Sequence, residues 1–377
     1  MNTTREERPA SGKPVVALVF GGRSSEHEVS CATAASVLAS IDRDRFDVVP
    51  IGIRKDGRWV LMPDDPEPLK LSAGHTPQVS GEQAVALPTD PGSRSLVVLE
   101  PGEPPRELAQ VDVVFPLLHG PFGEDGTLQG LLELADVRYV GCGVSASAVM
   151  MDKGLAKVIF AGRGLPVGAY TVITDKEWRR DALLCLDAAS SLGWPVFVKP
   201  ARAGSSMGVT RVEAPEELRA AIEAARVHDP KVLVEAAVQG REVECGVLEG
   251  RGAQPPRASL IGEIEVAAGR HTFYDFEAKY LDDAARLSCP AQLPDAVADQ
   301  IRELSVQAFE AAGCEGLARV DWWYCPDGAI VLNEINTLPG FTPQSMFPAV
   351  WAAAGVDYPS LITELIELAL ERRTGLR

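Results

Sequence analysis

The sequence lacks several features that mark whole classes of protein. Its seven cysteines are scattered and form no CxxC pair, which disfavours a zinc site and a disulfide framework and is typical of a reducing cytosol. No apolar run approaches the ~20 residues of a membrane span, and the polar N-terminus has no apolar core of a secretion signal. The formal net charge of −17 argues against a nucleic-acid or membrane-surface partner.

Two nucleotide-binding motifs are also missing. The chain contains no GxxxxGK[ST] phosphate loop. GGRSSE, after the first apolar strand, lacks the third glycine of a dinucleotide fingerprint, which disfavours an NAD-dependent dehydrogenase. The same turn is predicted to lead into a helix opened by a serine cap, so it still offers a helix N-terminus to a ligand.

The composition that remains, 46% apolar and 24% charged over 377 residues, is typical of a globular protein of two or three domains. The first part alternates strand, helix and strand, as in a βαβ layer. We predict an α/β fold of three modules, 14–142 with a parallel sheet, 143–235 and 236–377, after a disordered tail at 1–13. Residues 62–110, rich in Pro, Gly, Ser and Asp, are predicted to form loops and a hairpin away from the chemistry.

The segment VLNEINTLPG places Glu334 and Asn336 two residues apart in a strand, so both side chains lie on one face. Upstream, GLARVDWWY repeats this spacing with Arg319 and Asp321, and the turn CPDG joins the two strands. Antiparallel pairing would gather two carboxylates and an amide oxygen, which are ligands for Mg²⁺. The alternatives are a solvated strand end and a cross-strand charge pair. Asn336 and the turn at Gly340 favour the metal site, with Arg319 as a fixed cation for developing negative charge.

Two glycine-rich segments are further candidates. RAGSSMGV (202–209) can place backbone N–H groups on phosphate oxygens or form a plain hairpin turn, and the loop alone leaves both open. Lys199, just before it at the end of an apolar strand, needs an anionic partner, for which a phosphate is a natural candidate. HGPFGEDGTLQG (119–130) is a turn leading to a helix capped near Asp125, and its His119 is either a satisfied loop histidine or part of a site.

Four segments, in this order and spacing, resemble the D-alanine–D-alanine ligases, which are ATP-grasp enzymes: HGPFGEDGTLQG, RAGSSMG, FYDFEAKY and ARVDWWYCPDGAIVLNEINTLPG. The match runs from about residue 14 to the C-terminus, except in 62–110, which is long as in the larger family members. It implies a three-domain ATP-grasp architecture. It also implies ATP-dependent, ADP-forming ligation of two D-alanines through an acyl phosphate, for peptidoglycan precursors in the cytoplasm. The resemblance further implies ATP and two Mg²⁺ or Mn²⁺ ions as cofactors, and a homodimer as the assembly.

The resemblance assigns residues to the two substrates. Glu26 matches the Glu of GGxSxE and His119 the His of HGxxGEDG, which line the pocket of the first D-alanine in the family. Arg319 and the backbone N–H of Gly340 match the groups on the tetrahedral intermediate. Ser345 matches the hydroxyl that receives the carboxylate of the second substrate.

The resemblance also assigns a lid, a metal site and a nucleotide site. Ser205 matches the serine that bonds to the tyrosine of a mobile loop, here Tyr280, and closes the site. The two-magnesium site corresponds to Asp321, Glu334 and Asn336. The ATP-binding positions are Lys153, Lys199, Ser205, Ser206, Glu235, Ala236, Val238, Glu242, Lys279 and Asn333.

Four alternatives compete with this prediction. A sister ligase would join D-alanine to D-lactate or D-serine, and a single hydroxyl separates serine from alanine. A non-catalytic nucleotide-binding regulator on the same fold would have lost a metal ligand or a phosphate-binding lysine, and none is lost here. A dehydrogenase lacks its fingerprint, and a purely structural role explains none of the motifs.

Overall fold

The computed structural model describes residues 12–72, 74–91, 93–266 and 285–375. Lys279, Tyr280 and most of the predicted N-terminal tail lie outside these ranges. The chain divides into two compact units. The first runs up to Gly141 and includes Gly340–Pro343 and the chain from Val356 onward; the second consists of Cys142–Pro339 and Gln344–Gly355.

The first unit is built on one mixed sheet. Its strands are β1 (Val15–Gly21), β2 (Asp47–Ile53), β3 (Trp59–Leu61), β4 (Ala84–Ala86), β5 (Ser95–Leu99), β6 (Arg106–Gln110), β7 (Val113–Pro116) and β8 (Arg138–Tyr139). Its helices are α1 (His27–Ser40), α2 (Thr127–Leu134), a 3₁₀ turn (Glu67–Leu69) and the C-terminal helix (Tyr358–Glu371). The strand order is β6-β5-β4-β3-β2-β1-β7-β8. β1 is parallel to β2 and β7, and all seven of its residues are buried, because helices cover parallel sheets on both faces.

The predicted βαβ layer is therefore present, with one difference at the start of α1. Glu26 occupies the N-cap position and makes no side-chain capping hydrogen bond. The predicted serine cap is wrong, because Ser24 lies in the turn ahead of the helix and accepts a hydrogen bond from the Glu26 N–H at 3.3 Å. The helix therefore begins one to two residues later than a serine cap would place it, and Glu26 is its N-cap residue.

Residues 62–110 contain more regular structure than predicted. Strands β4, β5 and β6 continue the sheet in antiparallel order, and β5 and β6 form the predicted hairpin. The expectation that this segment lies apart from the candidate residues is wrong at Val79. Its backbone N–H donates to Nε2 of His27 at 3.3 Å, next to Glu26. The Val79 side chain also fills the space beside Gly52, where an added Cβ would lie 2.4 Å from Val79 Cγ1.

The second unit contains two further sheets. Its strands are β9 (Tyr170–Ile173), β10 (Val196–Pro200), β11 (Thr210–Val212), β12 (Val232–Ala236), β13 (Arg241–Leu248), β14 (Arg257–Val266), β15 (Ala285–Ser288), β16 (Leu317–Tyr324) and β17 (Ile330–Asn336). Its described helices are α3 (Val144–Met151), α4 (Lys153–Gly162), α5 (Asp175–Arg180), α6 (Ala182–Ser190), α7 (Pro215–His228), α8 (Asp295–Ala311) and α9 (Met346–Ala353). The C-terminal helix of the first unit is α10. The sheet orders are β11-β10-β12-β9 and β15-β14-β13-β16-β17, and each sheet has its own apolar core.

A β-bulge interrupts β17. Asp321 lies opposite Glu334 and Trp322 lies opposite Leu332, which leaves Asn333 as the extra residue. Leu332 before the bulge and Ile335 after it are both buried in the same core. The bulge therefore shifts the in–out alternation by one residue and directs Glu334 away from that core.

Across the described ranges, every helix falls short of the length and apolar character that a bilayer crossing requires.

Candidate active site

Four of the predicted residues lie on one face of the β16–β17 pair. In the antiparallel register Asp321 faces Glu334, and Arg319 faces Asn336. The amide Nδ2 of Asn336 donates to Oδ2 of Asp321 at 2.9 Å. The turn Cys325–Gly328 closes the hairpin with a hydrogen bond from the Gly328 N–H to the Cys325 carbonyl. The strand pairing predicted from the spacing is therefore confirmed.

Arg319 is the central cation of this face. Its Nε and one terminal nitrogen donate to the two carboxylate oxygens of Asp321, at 2.8 and 2.7 Å. Nε also lies 2.9 Å from a carboxylate oxygen of Glu244, on the neighbouring strand β13. Burial alone would lower the pKa of Arg319, but the charges of Asp321 and Glu244 outweigh it and raise the pKa well above its usual value.

The donor set suits a hard divalent cation. Asp321 and Glu334 offer carboxylate oxygens and Asn336 an amide oxygen, the ligand types that Mg²⁺ combines with phosphate oxygens and water. Within the described ranges, no group of three or more His, Cys, Asp or Glu side chains forms a metal site. A cation held here would therefore depend on the amide oxygen of Asn336 and on oxygens from a bound phosphate.

Lys153 joins three distant parts of the second unit. It is the first residue of α4, whose N-terminus is capped by Asp152 through hydrogen bonds from the Gly154 and Leu155 N–H groups. The Lys153 ammonium donates to the carbonyl of Ala203 at 2.9 Å and lies 3.3 Å from the Glu334 carboxylate. The glycine-rich loop, the start of α4 and the polar face of β16 and β17 therefore meet at one ammonium group.

Lys199 has an anionic partner within the protein. Its ammonium lies 2.5 Å from the Glu235 carboxylate, which also pairs with Lys157 at 2.6 Å. Burial would raise the pKa of Glu235, but the two lysines bring it down to about 2. Burial alone would lower the pKa of Lys199, but Glu235 raises it. The expectation that a phosphate must supply the anion for Lys199 is corrected, because β10 pairs with β12 and brings Glu235 within reach.

Lys157 was missed by the sequence reasoning. It follows Lys153 by four residues, and this helical spacing could have indicated a second lysine on the same face of α4. Its side chain is only 4% exposed and also lies over the ring of Tyr170, with 5.7 Å between Nζ and the ring centroid. Lys157 and Lys199 therefore share one buried carboxylate inside the second unit.

The glycine-rich loop connects the antiparallel strands β10 and β11, so it is a hairpin loop. Its backbone is nevertheless unusual, because Ser205 and Ser206 both adopt left-handed conformations, with φ of 46° and 56°. The loop is fixed at its start by Asp229, which accepts hydrogen bonds from the backbone N–H, Nε and a terminal nitrogen of Arg202, at 2.6–2.9 Å. The hairpin form is confirmed, and the strained serines are compatible with a ligand-binding loop.

The other positions predicted for the nucleotide site lie on or next to strands of the second unit. Ala236 ends β12 and donates its N–H to the Ala169 carbonyl. Val238 follows β12, and a Cβ added to Gly168 would lie 3.5 Å from Val238 Cγ2. Glu242 lies on β13, two residues before Glu244 and on the same face. Glu244 was also missed, although its i+2 spacing from Glu242 is the signal used for the other acidic residues.

In the first unit, Glu26 and His119 are both buried, at 9% and 6% exposure. An added Cβ on Gly120 would lie 3.0 Å from a carboxylate oxygen of Glu26, so the glycine-rich turn 119–130 packs against that carboxylate. Glu124 holds this turn by accepting a hydrogen bond from the Gly120 N–H at 2.6 Å. A cavity of about 190 Å³ opens beside it, lined by His119 and Arg23 among others.

Two predicted residues come from the segment after β17. Gly340 belongs to the first unit, whereas Ser345 belongs to the second and is the N-cap residue of α9. Lys279 and Tyr280 lie outside the described residues, so the lid assigned to Tyr280 and Ser205 stays a prediction.

Comparison with known proteins covers almost the whole chain. The family model described as "D-ala D-ala ligase N-terminus" matches residues 15–142, and "D-ala D-ala ligase C-terminus" matches residues 159–367. A D-alanine–D-alanine ligase from Arthrobacter sp. (strain FB24) is 59% identical over 371 residues, which are 98% of this chain and 97% of the relative.

Two solved structures are similar along their full length. The VanG D-Ala:D-Ser ligase from Enterococcus faecalis is 36% identical, has a TM-score of 0.82, and the match covers 95% of this chain and 99% of that one. The D-alanine–D-alanine ligase from Coxiella burnetii is 33% identical, with a TM-score of 0.79 and coverage of 96% and 94%. The predicted α/β fold of the ATP-grasp type is therefore confirmed.

Proposed function

Because the chain belongs to the D-alanine–D-alanine ligase family, we propose that it joins two D-alanines to D-alanyl-D-alanine at the expense of ATP, releasing ADP and phosphate. The observation that carries this proposal is the polar face of β16 and β17, where Arg319, Asp321, Glu334 and Asn336 meet. Lys153 approaches the same face at Glu334. Such a set of cations and hard oxygen ligands suits phosphoryl transfer to a carboxylate.

In the first step, the carboxylate of one D-alanine attacks the γ-phosphorus of ATP, the bond to the bridging oxygen breaks, and ADP leaves. Lys153 and Lys199 balance the charge of the phosphates, and the backbone of the loop at Ser205 and Ser206 positions them. Two Mg²⁺ or Mn²⁺ ions held by Asp321, Glu334 and Asn336 would neutralise phosphate charge when bound. Glu26 and His119 orient the first D-alanine.

In the second step, the amine of the other D-alanine attacks the acyl phosphate carbon. The tetrahedral intermediate collapses to the amide, phosphate leaves with the electron pair of the broken carbon–oxygen bond, and the attacking nitrogen releases one proton. Arg319 and the Gly340 N–H stabilise the negative charge that develops on the oxygens. Ser345 binds the carboxylate of the second substrate. The acyl phosphate hydrolyses in water, so the reaction needs a closed lid, for which Tyr280 is the predicted contact of Ser205.

The nucleotide is bound by the second unit in this proposal. Glu235, Ala236, Val238, Glu242 and Asn333 contact the adenosine part, and Lys157, although absent from the family-based assignment, supports Glu235 there. Lys279 adds a contact to phosphate. The proposal also includes domain boundaries at 14–142, 143–235 and 236–377.

The same proposal extends to the setting of the reaction. The product serves peptidoglycan precursor synthesis in the cytoplasm, where ATP is supplied, and the chain acts as a homodimer, as the family resemblance implies.

The test is product analysis by mass spectrometry with Mg-ATP and D-alanine, D-serine and D-lactate in competition, while phosphate release is followed. We expect D-alanyl-D-alanine and phosphate in equal amounts. A dominant D-Ala-D-Ser product would mean that the chain is a D-Ala:D-Ser ligase, as the VanG relative is. ATP binding without any product would favour the regulatory alternative.

A matched pair of variants on one hairpin connects the activity to the proposed face. Asp321→Asn removes a charge from that face, and we expect product formation to fall at least ~100-fold. Asp327→Asn changes an exposed aspartate in the turn of the same hairpin, which accepts a hydrogen bond from the Ala329 N–H, and should leave the rate unchanged. Equal effects of the two substitutions would contradict the placement of the site.

A further inference from the structure

Glu244 is a buried carboxylate that the reaction steps above do not use. It lies on β13 directly opposite Asp321 of β16, and its side chain is only 4% exposed. Its neighbours Val243 and Cys245 point into the apolar core on the other face. A carboxylate buried in this way needs a cation close by, because an isolated charge in such surroundings is strongly unfavourable. Arg319 is that cation.

The contact between Glu244 and Arg319 has a particular geometry. Nε of Arg319 donates its hydrogen to Oδ1 of Asp321 at 2.8 Å, and the Glu244 oxygen lies 2.9 Å from the same Nε. That Glu244 oxygen accepts no hydrogen bond with acceptable geometry, so its contact with Nε is ionic. Two carboxylates therefore flank one N–H group, and only Asp321 receives its hydrogen.

At least three donors already occupy the carboxylate oxygens of Asp321. Oδ1 accepts from Nε of Arg319, and Oδ2 accepts from the terminal nitrogen of Arg319 at 2.7 Å and from Asn336 at 2.9 Å. A divalent cation on Asp321 competes with these donors, because the lone pairs that bind a metal are the same ones that accept hydrogen bonds. The guanidinium group then requires another acceptor within reach.

We propose that Glu244 is a positioning residue for Arg319: its carboxylate takes the Nε hydrogen when Asp321 turns its oxygens to a divalent cation. Arg319 then stays on the face at which negative charge develops, and Asp321 becomes available as a ligand. This inference rests on the proposed function, because it assigns a metal to Asp321. Without Glu244, Arg319 keeps its bidentate pair with Asp321 and competes with the cation.

The test measures Mn²⁺ binding in the presence of ADP by the loss of the free-ion electron paramagnetic resonance signal, beside turnover with D-alanine. Glu244→Gln keeps the shape and an acceptor oxygen but removes the charge. We expect its Kd for Mn²⁺ to rise about tenfold, the equivalent of one charge-assisted hydrogen bond. Glu244→Asp restores the charge and should recover part of the affinity, which also covers the case that the carboxamide variant folds poorly.

The matched control is Glu263→Gln. Glu263 is equally buried, lies on the adjacent strand β14, and forms a bidentate ion pair with Arg241 at 2.6 Å. Loss of this pair should leave Mn²⁺ binding unchanged. In a double-mutant cycle, Glu244→Gln should change the Kd less than twofold once Arg319 is replaced by Gln, because the partner through which Glu244 acts is gone.

The outcomes separate the inference from the function beneath it. If Glu244→Gln turns over at the wild-type rate and binds Mn²⁺ with an unchanged Kd, the role proposed for Glu244 is overturned and the proposed function stays intact. A full effect of Glu244→Gln in the Arg319→Gln background would also overturn it, because Glu244 would then act on the cation directly. Failure of the wild type to form dipeptide or bind Mn²⁺ would refute the proposed function, and this inference with it.

Discussion

Glu235, held between Lys157 and Lys199, predicts a defined loss of stability in acid. Burial opposes its ionisation and would raise the pKa, but the charges of the two lysines more than compensate and bring the pKa from an ordinary value of 4.5 to about 2 in the folded chain. Between these two pH values the unfolded chain binds a proton that the folded chain does not. The stabilisation is therefore complete above pH 4.5 and is lost as the pH falls towards 2.

The magnitude follows from the pKa difference. A difference of about 2.5 pH units corresponds to about 3 kcal/mol of unfolding free energy at neutral pH. The assay is urea unfolding, followed by circular dichroism, at a series of pH values from 6 down to ~2. Other carboxylates titrate in the same range, so the informative quantity is the difference between the wild type and Glu235→Gln.

We expect the wild type to lose about 3 kcal/mol more than Glu235→Gln over this range. Lys199→Met is the matched control, because it leaves Glu235 with Lys157 alone and should retain only part of the difference. Parallel pH profiles for the wild type and Glu235→Gln would refute the reasoning, since they would mean that the carboxylate titrates alike in the folded and unfolded chains.

Further predictions concern the glycine-rich loop and two glycines. Asp229→Asn should raise the KM for ATP about tenfold with little change in the KM for D-alanine, because Asp229 fixes the start of the loop through Arg202. Both constants are measured from initial rates, and equal changes in the two would contradict this prediction. Gly250→Ala should lower the unfolding free energy by at least ~1 kcal/mol, because the new Cβ would lie 2.1 Å from the Gln254 carbonyl oxygen. Gly130→Ala, inside α2 with nothing within 4 Å of the new Cβ, should raise it by up to ~1 kcal/mol. Urea midpoints that move the same way for both glycine variants would argue against the packing described for Gly250.

Local spacing was sufficient to predict the polar face of β16 and β17. Arg319 and Asp321 lie close to Glu334 and Asn336 in sequence, and a short turn joins the two strands. Two facts follow from this proximity: only one pairing is available, and alternation alone decides which side chains share a face.

Contacts between distant segments could not be predicted in the same way. Lys199 and Glu235 are 36 residues apart, and their ion pair depends on the register between β10 and β12, which no local pattern specifies. The strands within 62–110 were hidden for a related reason. They are short strands of three to five residues at one side of the sheet, and their periodicity is too brief to stand out from turn-rich sequence. Likewise, nothing in the C-terminal helix itself indicates that it packs with the first unit.

The bulge at Asn333 makes the length of β17 as important as its composition. Leu332 and Ile335 are separated by an odd number of positions, yet both side chains enter the same core. Deleting Asn333 would bring Leu332 next to Glu334, restore a regular strand, and leave Glu334 and Asn336 on the face they occupy now, because their partners on β16 are already consecutive. Pairing Asn333 regularly would instead turn Glu334 and Asn336 inward, where a buried carboxylate without its partners is strongly unfavourable. This hairpin should therefore tolerate the loss of Asn333 itself, whereas a change that removes the bulge but keeps the residue would exchange the two faces at the end of the strand.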